Sequence, residues 1–202
     1  MTEAGIGRIL VASLHHAISD QLPTRLEFYE NWLHPDGMRL GTIGLPQVQA
    51  VLSFLRQEGA AYGRVTRLAG ECAAEWTVAS QRPAGRAMLG ALPLGLRARA
   101  VLGLARRTIR RTSRGSEAAL TLRKGRGRLD VRGSVFCNVR ESSAEPLCAF
   151  HEAVVSKLLA LYDVPATVRV AQCRAVRGPD CLFDVTIGRS QAVAAPDPAS
   201  LE

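Results

Sequence analysis

The sequence predicts an α+β domain: a helical N-terminal half, then a mostly antiparallel sheet with one long helix across it. Three observations lead there. Up to about residue 111, apolar residues recur at the spacing of amphipathic helices. From Ala118 the period changes to alternation, in short runs separated by turn residues. Between those runs, Pro146 to Tyr162 reads as one long helix.

In chain order, Ile6, Ile9, Leu10, Leu14, Ala17 and Ile18 place an amphipathic helix over about residues 5–21. His15 and His16 lie in it about 100° apart. They cannot both face one metal from this helix, and are read as solvent or interface side chains. Pro23 opens a second helix, at a position where a missing N–H costs nothing. Leu26, Tyr29 and Leu33 line one side of it, and Phe28 and Trp32 form an i, i+4 pair on another. That pair is either interhelix packing or a ligand wall.

His34-Pro-Asp-Gly37 is a turn by composition. Pro46 starts a third helix, with Val48, Val51, Leu52 and Leu55 on its apolar face and Gly59 at its end. A fourth, from about Ala60 to Ala79, carries Val65, Leu68, Cys72, Trp76 and Val78, with Cys72 as a small buried residue. Met88 to Leu96 is apolar but rich in Gly and Pro, and passes into a basic amphipathic helix from Arg97 to Arg111. Such a helix can lie on an anionic membrane surface, cover an apolar pocket, or simply be solvated.

Leu120, Leu122, Leu129 and Val131 form a β-hairpin around Lys124-Gly-Arg-Gly127, and Ser134 to Val139 is a strand or loop. Pro165 to Val176 and Leu182 to Ile187 are strands joined by the turn Arg177-Gly-Pro-Asp180. The expected organisation is one domain over residues 1–190, with an apolar and basic insertion at 83–115, a signature region at 133–187 and a disordered tail at 191–202.

Charge is unevenly placed. From Arg82 to Arg140 there are fourteen Arg and one Lys against Glu117 and Asp130, a net +13 in a chain of net +8, so the remainder is net −5. That asymmetry points to an anionic partner: a membrane surface, a nucleic acid or an acidic small molecule. Nucleic acid is disfavoured, because the basic segment lacks interleaved aromatics and any recognisable nucleic-acid motif. Five cysteines without the pattern of a secretory leader predict a reducing, cytoplasmic location, with contact at the membrane periphery as an option. No run approaches the roughly 18 apolar residues of a membrane span.

Recognisable catalytic motifs are absent. No Gly-x-Gly-x-x-Gly follows a strand, and there is no P-loop, nucleophile elbow or zinc-protease helix. The lack of a nucleotide site argues against independent redox catalysis. What remains is a group of four cysteines: Cys137 before a helix, Cys148 at its start, and Cys173 and Cys181 flanking a tight turn. Such soft ligands hold a metal or are small core residues.

Gly133-x-Val-Phe, the cysteine opening a helix, and then Val168-Arg-Val-x-x-Cys-Arg-Ala-x-x-Gly-x-x-x-Cys181 resemble the 4-vinyl-reductase domain family. That family includes bacteriochlorophyll biosynthesis proteins and the sensor modules of phenol-responsive activators, and its fold is related to subunits of vesicle-tethering complexes. As a free-standing domain, the chain looks more like the biosynthetic members. That resemblance implies a chlorophyllide-type tetrapyrrole as ligand, a role in 4-vinyl reduction as reductase or substrate carrier, a homodimer, and other bacteriochlorophyll biosynthesis enzymes as partners. The alternative is a sensor or adaptor for a small aromatic ligand, without catalysis.

The phenol sensors imply a zinc held by three cysteines and an acidic residue. Cys148, Cys173 and Cys181 match the cysteines, but Val170 stands at the acidic position with Gln172 nearby. Cys137 can supply the fourth ligand, with His151 or Glu152 as fallbacks. A site closed by four ligands is structural. For the macrocycle, Phe28, Trp32, Trp76 and the Met88 to Leu96 segment are candidate walls. Arg97 and Arg99 are candidate partners of a propionate. His15, His16 or His151 is a candidate axial ligand.

Overall fold

The computed structural model describes residues 5–139 and 141–188, so the tail expected at 191–202 lies outside the described residues. Its first half is helical: α1 (Arg8–Gln21), a 3-10 turn (Pro23–Arg25), α2 (Leu26–Glu30), α3 (Pro35–Leu40), α4 (Leu45–Gln57), α5 (Ala60–Ala79), α6 (Pro83–Gly90) and α7 (Leu94–Arg110). The second half is β1 (Glu117–Arg123), β2 (Arg126–Arg132), a 3-10 turn (Val135–Cys137), α8 (Ala149–Leu161), β3 (Ala166–Gln172) and β4 (Cys181–Ile187). The four strands form one antiparallel sheet in the order β1-β2-β4-β3. The α+β class and the order of halves are as the sequence predicts.

Strand alternation decides which sheet face is covered. Leu129 and Val131 of β2 and Cys181, Phe183 and Val185 of β4 are buried, while Arg126, Arg128 and Arg132 face outward. The helix α8 packs against β3, α7 and, most extensively, α5, which in turn packs on α1. Lying between layers, α8 is apolar nearly all round, burying Phe150, His151, Ala153, Val154, Val155, Leu158 and Leu159. The approach of α5 to α8 depends on Gly70: a Cβ there would stand 2.3 Å from the Phe150 carbonyl oxygen and 2.8 Å from the Ala153 Cβ.

Local sequence explains where the structure departs from expectation. The stretch beginning at His34 is not merely a turn. Pro35 starts α3, and the His34 Nδ1 accepts the Gly37 N–H at 2.8 Å, capping the helix in the way a Ser or Asp usually does. Pro23 begins a 3-10 turn, so the second helix reduces to Leu26–Glu30. The expected Gly/Pro-rich interruption at Met88 to Leu96 resolves into two helices, with Pro83 and Pro93 at their starts, where proline is tolerated. In the hairpin, the turn contracts to Lys124 and Gly125. Both are at positive φ (46° and 76°), as the favoured two-residue turn requires. Ser134 to Val139 contains a 3-10 turn rather than a strand.

Candidate metal centre and adjoining cleft

Four elements converge at one end of the sheet. After β2, the chain turns at Gly133 (φ 62°) into the 3-10 turn that ends at Cys137. Cys148 is the residue before α8, Cys173 follows the last residue of β3, and Cys181 is the first of β4. The loop after β3 wraps on the Cys173 carbonyl, which accepts the N–H groups of Val176 (3.1 Å) and Gly178 (3.2 Å). Gln172 Nε2 donates to the Asp180 carbonyl at 3.3 Å across the same loop, and Ser143 N–H donates to the Ala175 carbonyl at 2.7 Å. These hydrogen bonds, all but one between backbone groups, fix the loop before any ligand is considered.

The four sulfurs all lie within 4.8 Å of one another, with Cys137 Sγ and Cys173 Sγ at 3.6 Å. All four side chains are buried. A disulfide needs an S–S distance of about 2.05 Å, and these cysteines are free thiols. A tetrahedral zinc with Zn–S bonds of about 2.3 Å sets its sulfurs about 3.8 Å apart, and this set fits that requirement.

The thiols also bias one another's protons. Hydrogen bonding to Cys137, Cys148 and Cys181 pulls Cys173 down, and hydrogen bonds from Cys137 and Cys148 pull Cys181 down. Cys148 is pushed up by its bonds with Cys137, Cys173 and Cys181 and by burial. For Cys137, the downward pull of Cys148 is outweighed by Cys173, Cys181 and burial, and the thiol is raised.

Of the fallback ligands, Glu152 turns away to pair with Arg67 at 3.4 Å. His151 is fully buried, and neither ring nitrogen has a hydrogen-bond partner among the described residues. Phe136, Phe150 and Phe183 surround the ring, with centroids at 5.4, 5.5 and 6.1 Å. Burial pulls it down from 6.5 to about 4, opposed by the charge of Cys173, so it is a neutral imidazole at pH 7.

Beside the four sulfurs lies an open cleft of about 1380 Å³ between α4, α5 and the loop leading to Cys148. Gln49, Ser53, Arg56, Tyr62, Asn138 and Glu145 are among its lining residues. Asn138 follows Cys137 in the chain, and Leu147, also in the lining, precedes Cys148. The cleft and the cysteine cluster thus share backbone.

The remaining sequence candidates are dispersed. Phe28 and Trp32 do pair, with centroids at 5.0 Å, and Phe54 of α4 completes the cluster at 5.1 and 5.0 Å. Trp76 lies on α5 against His16, at 5.9 Å. His15 Nε2 meets Glu30 at 2.9 Å. Arg97 donates to the Gly90 carbonyl at 2.8 Å, and Arg99 borders a separate hollow of about 250 Å³ with Arg106, Leu120 and Leu122. None of these residues lines the cleft beside the cysteines. Sequence reasoning missed the cleft residues because they lie on polar helix faces and in the loop at 138–147, where no periodicity marks them. Of the aromatic cluster, the sequence showed the Phe28 and Trp32 pair but not Phe54, which lies two residues after Leu52, outside the apolar stripe of α4.

No protein-family model matches the chain, and no curated protein does. Among solved structures, the chain is similar to an H-NOX protein from S. oneidensis in the Fe(II)NO ligation state, with a TM-score of 0.52 at 11% identity, covering 91% of this chain and 100% of that one. The phenol-responsive sensory domain of the transcription activator PoxR with phenol aligns with a TM-score of 0.48 at 11% identity, over 69% of this chain and 73% of that one. The architecture is therefore an α+β fold similar to that of the H-NOX protein. At this identity the likeness is one of fold.

Proposed function

We propose that the chain is a small-molecule-binding domain of the sensor or adaptor type, whose sheet end is held by a structural four-thiolate zinc site. The observation that carries this reading is shared backbone: Leu147 lines the cleft and directly precedes Cys148, and Asn138 lines it and directly follows Cys137. A ligand in the cleft therefore presses on two of the four ligand-bearing segments. Cys137, Cys148, Cys173 and Cys181 would hold the metal. A zinc closed by four thiolates supplies folding energy rather than an open coordination position. The reading is compatible with the fold neighbour, an H-NOX protein solved in the Fe(II)NO ligation state.

A chlorophyllide-type tetrapyrrole, acting in 4-vinyl reduction, is the ligand implied by the signature residues between Gly133 and Cys181. Phenol is the alternative probe. The test uses the full chain with its native metal, following melting temperature and visible absorption as divinyl chlorophyllide or phenol is added. Gly63 lines the cleft and has open space at its Cβ position, so Gly63→Trp fills the cleft without disturbing the core. The expected result is a ligand-induced rise in melting temperature that Gly63→Trp abolishes. If neither probe stabilises the chain, or Gly63→Trp leaves the stabilisation intact, the reading is wrong. Added reductant then separates carrier from reductase through loss of the vinyl band.

A further inference from the structure

The segment from α6 into α7 is the least buried part of the described helices and the most one-sided in charge. No residue of α6 is buried. Met88 is 74% exposed, Leu96 58% and Leu94 40%, three large apolar side chains at one helix-to-helix turn. Arg82, Arg86 and Arg99, all exposed, flank them along the chain. From Thr77 to Ser116 there are nine arginines and not one Asp or Glu.

The orientation of α7 extends this pattern. Ala98, Val101, Leu102, Ala105 and Ile109 anchor it in the core. Leu96, Arg99, Arg107 and Arg110 are exposed at helical spacing, so one outward stripe runs from an apolar end to a cationic one. The anchored half fixes the direction in which the exposed half projects. Arg97 reinforces the turn by donating to the Gly90 carbonyl at 2.8 Å.

We infer that the α6–α7 turn is a membrane-docking tip that inserts its apolar side chains into the interface of an anionic lipid bilayer while the arginine collar pairs with headgroups. A bilayer combines a sheet of anions with an apolar phase a few ångströms beneath it, which is the order of groups along this tip. A nucleic acid supplies the anions but no apolar phase for Met88 and Leu96. No described helix is long and apolar enough to cross a membrane, so the contact is peripheral.

The experiment is flotation of the full chain with phosphatidylcholine vesicles, with or without about one third phosphatidylglycerol. The expected result is binding to the anionic vesicles only, weakened by added salt. The doubly substituted Met88→Asp, Leu96→Asp chain should partition at least about ten-fold less, and Arg82→Gln or Arg86→Gln about five-fold less each. Since these side chains are exposed, the variants should keep the wild-type far-ultraviolet spectrum and melting temperature. Failure to bind anionic vesicles overturns the inference, as does binding that survives loss of the apolar pair. A dimer in light scattering that Leu96→Asp dissolves, without flotation of the parent chain, assigns the tip to a second copy and likewise overturns it.

Discussion

The Tyr62 hydroxyl donates to the Leu147 carbonyl at 3.1 Å, joining α5 to the residue before Cys148 across 85 positions of sequence. Burial, and then the charge of Cys137, push the Tyr62 phenol far above its ordinary range, so it stays a donor at any working pH. Tyr62→Phe keeps the ring and strands the carbonyl. The expected loss is about 1 kcal/mol of stability, read from urea unfolding. Zinc transfer to a colorimetric chelator should also become several-fold faster. A variant that gives up its metal at the wild-type rate would show that α5 does not support the cysteine cluster.

Metal content tests the cluster directly. The chain as purified should carry close to one zinc, and Cys137→Ser and Cys173→Ser should each lose most of it. Cys72→Ser is the control, because Cys72 lies on α5 outside the four-sulfur group. Metal removal by a strong chelator should lower the melting temperature by about 10 °C, corresponding to roughly 3 kcal/mol in a domain of this size. Elemental analysis that finds no zinc in the wild type would leave four buried thiols as core residues.

The contact between α5 and α8 predicts opposite responses at two glycines of one helix. Gly70→Ala drives a methyl group to within 2.3 Å of the Phe150 carbonyl oxygen. It should destabilise by about 2 kcal/mol, despite alanine's better helix propensity. Gly63 has open space at the same atom. Gly63→Ala should therefore be neutral or stabilising by up to about 1 kcal/mol. Equal effects at the two positions in chemical denaturation would mean that helix propensity, not interhelix distance, governs both.

These tests rest on features of unequal visibility in the sequence. The helical half, the hairpin and the single long helix were legible because burial imposes a period, 3.6 on α1, α4 and α5 and 2 on β2 and β4. The cysteine grouping was legible because each residue sits at the end of an element, where the sheet order brings ends together. The α3 start was not, because His34 caps through a ring nitrogen rather than a hydroxyl or carboxylate. Nor was the cleft. Its lining comes from α4, α5 and the loop before α8, segments nearly a hundred residues apart, and only the packing of α5 on α8 aligns them. The dispersal of Phe28, Trp76 and Arg97 has the same origin: residue type was visible, but the distance between elements was not.

The last prediction concerns the imidazole behind the cluster. Burial takes His151 from 6.5 down to about 4, so between those values the unfolded chain binds a proton that the folded chain refuses. Stability from this group is therefore complete above pH 6.5 and is lost as pH falls toward 4. For a fully buried ring, the difference amounts to about 2 to 3 kcal/mol by pH 4.5. His151→Leu, of similar volume, removes the titrating group and two ring nitrogens that lack partners among the described residues. At pH 7 it should be as stable as the wild type or more so, because an apolar side chain suits Phe136, Phe150 and Phe183 better. At pH 4.5 its advantage should be larger by about 2 to 3 kcal/mol. Both proteins lose thiolates, and any metal they hold, over the same acid range, so the difference between their unfolding curves isolates the histidine. Parallel pH profiles for the two would mean that the ring is not held neutral by burial.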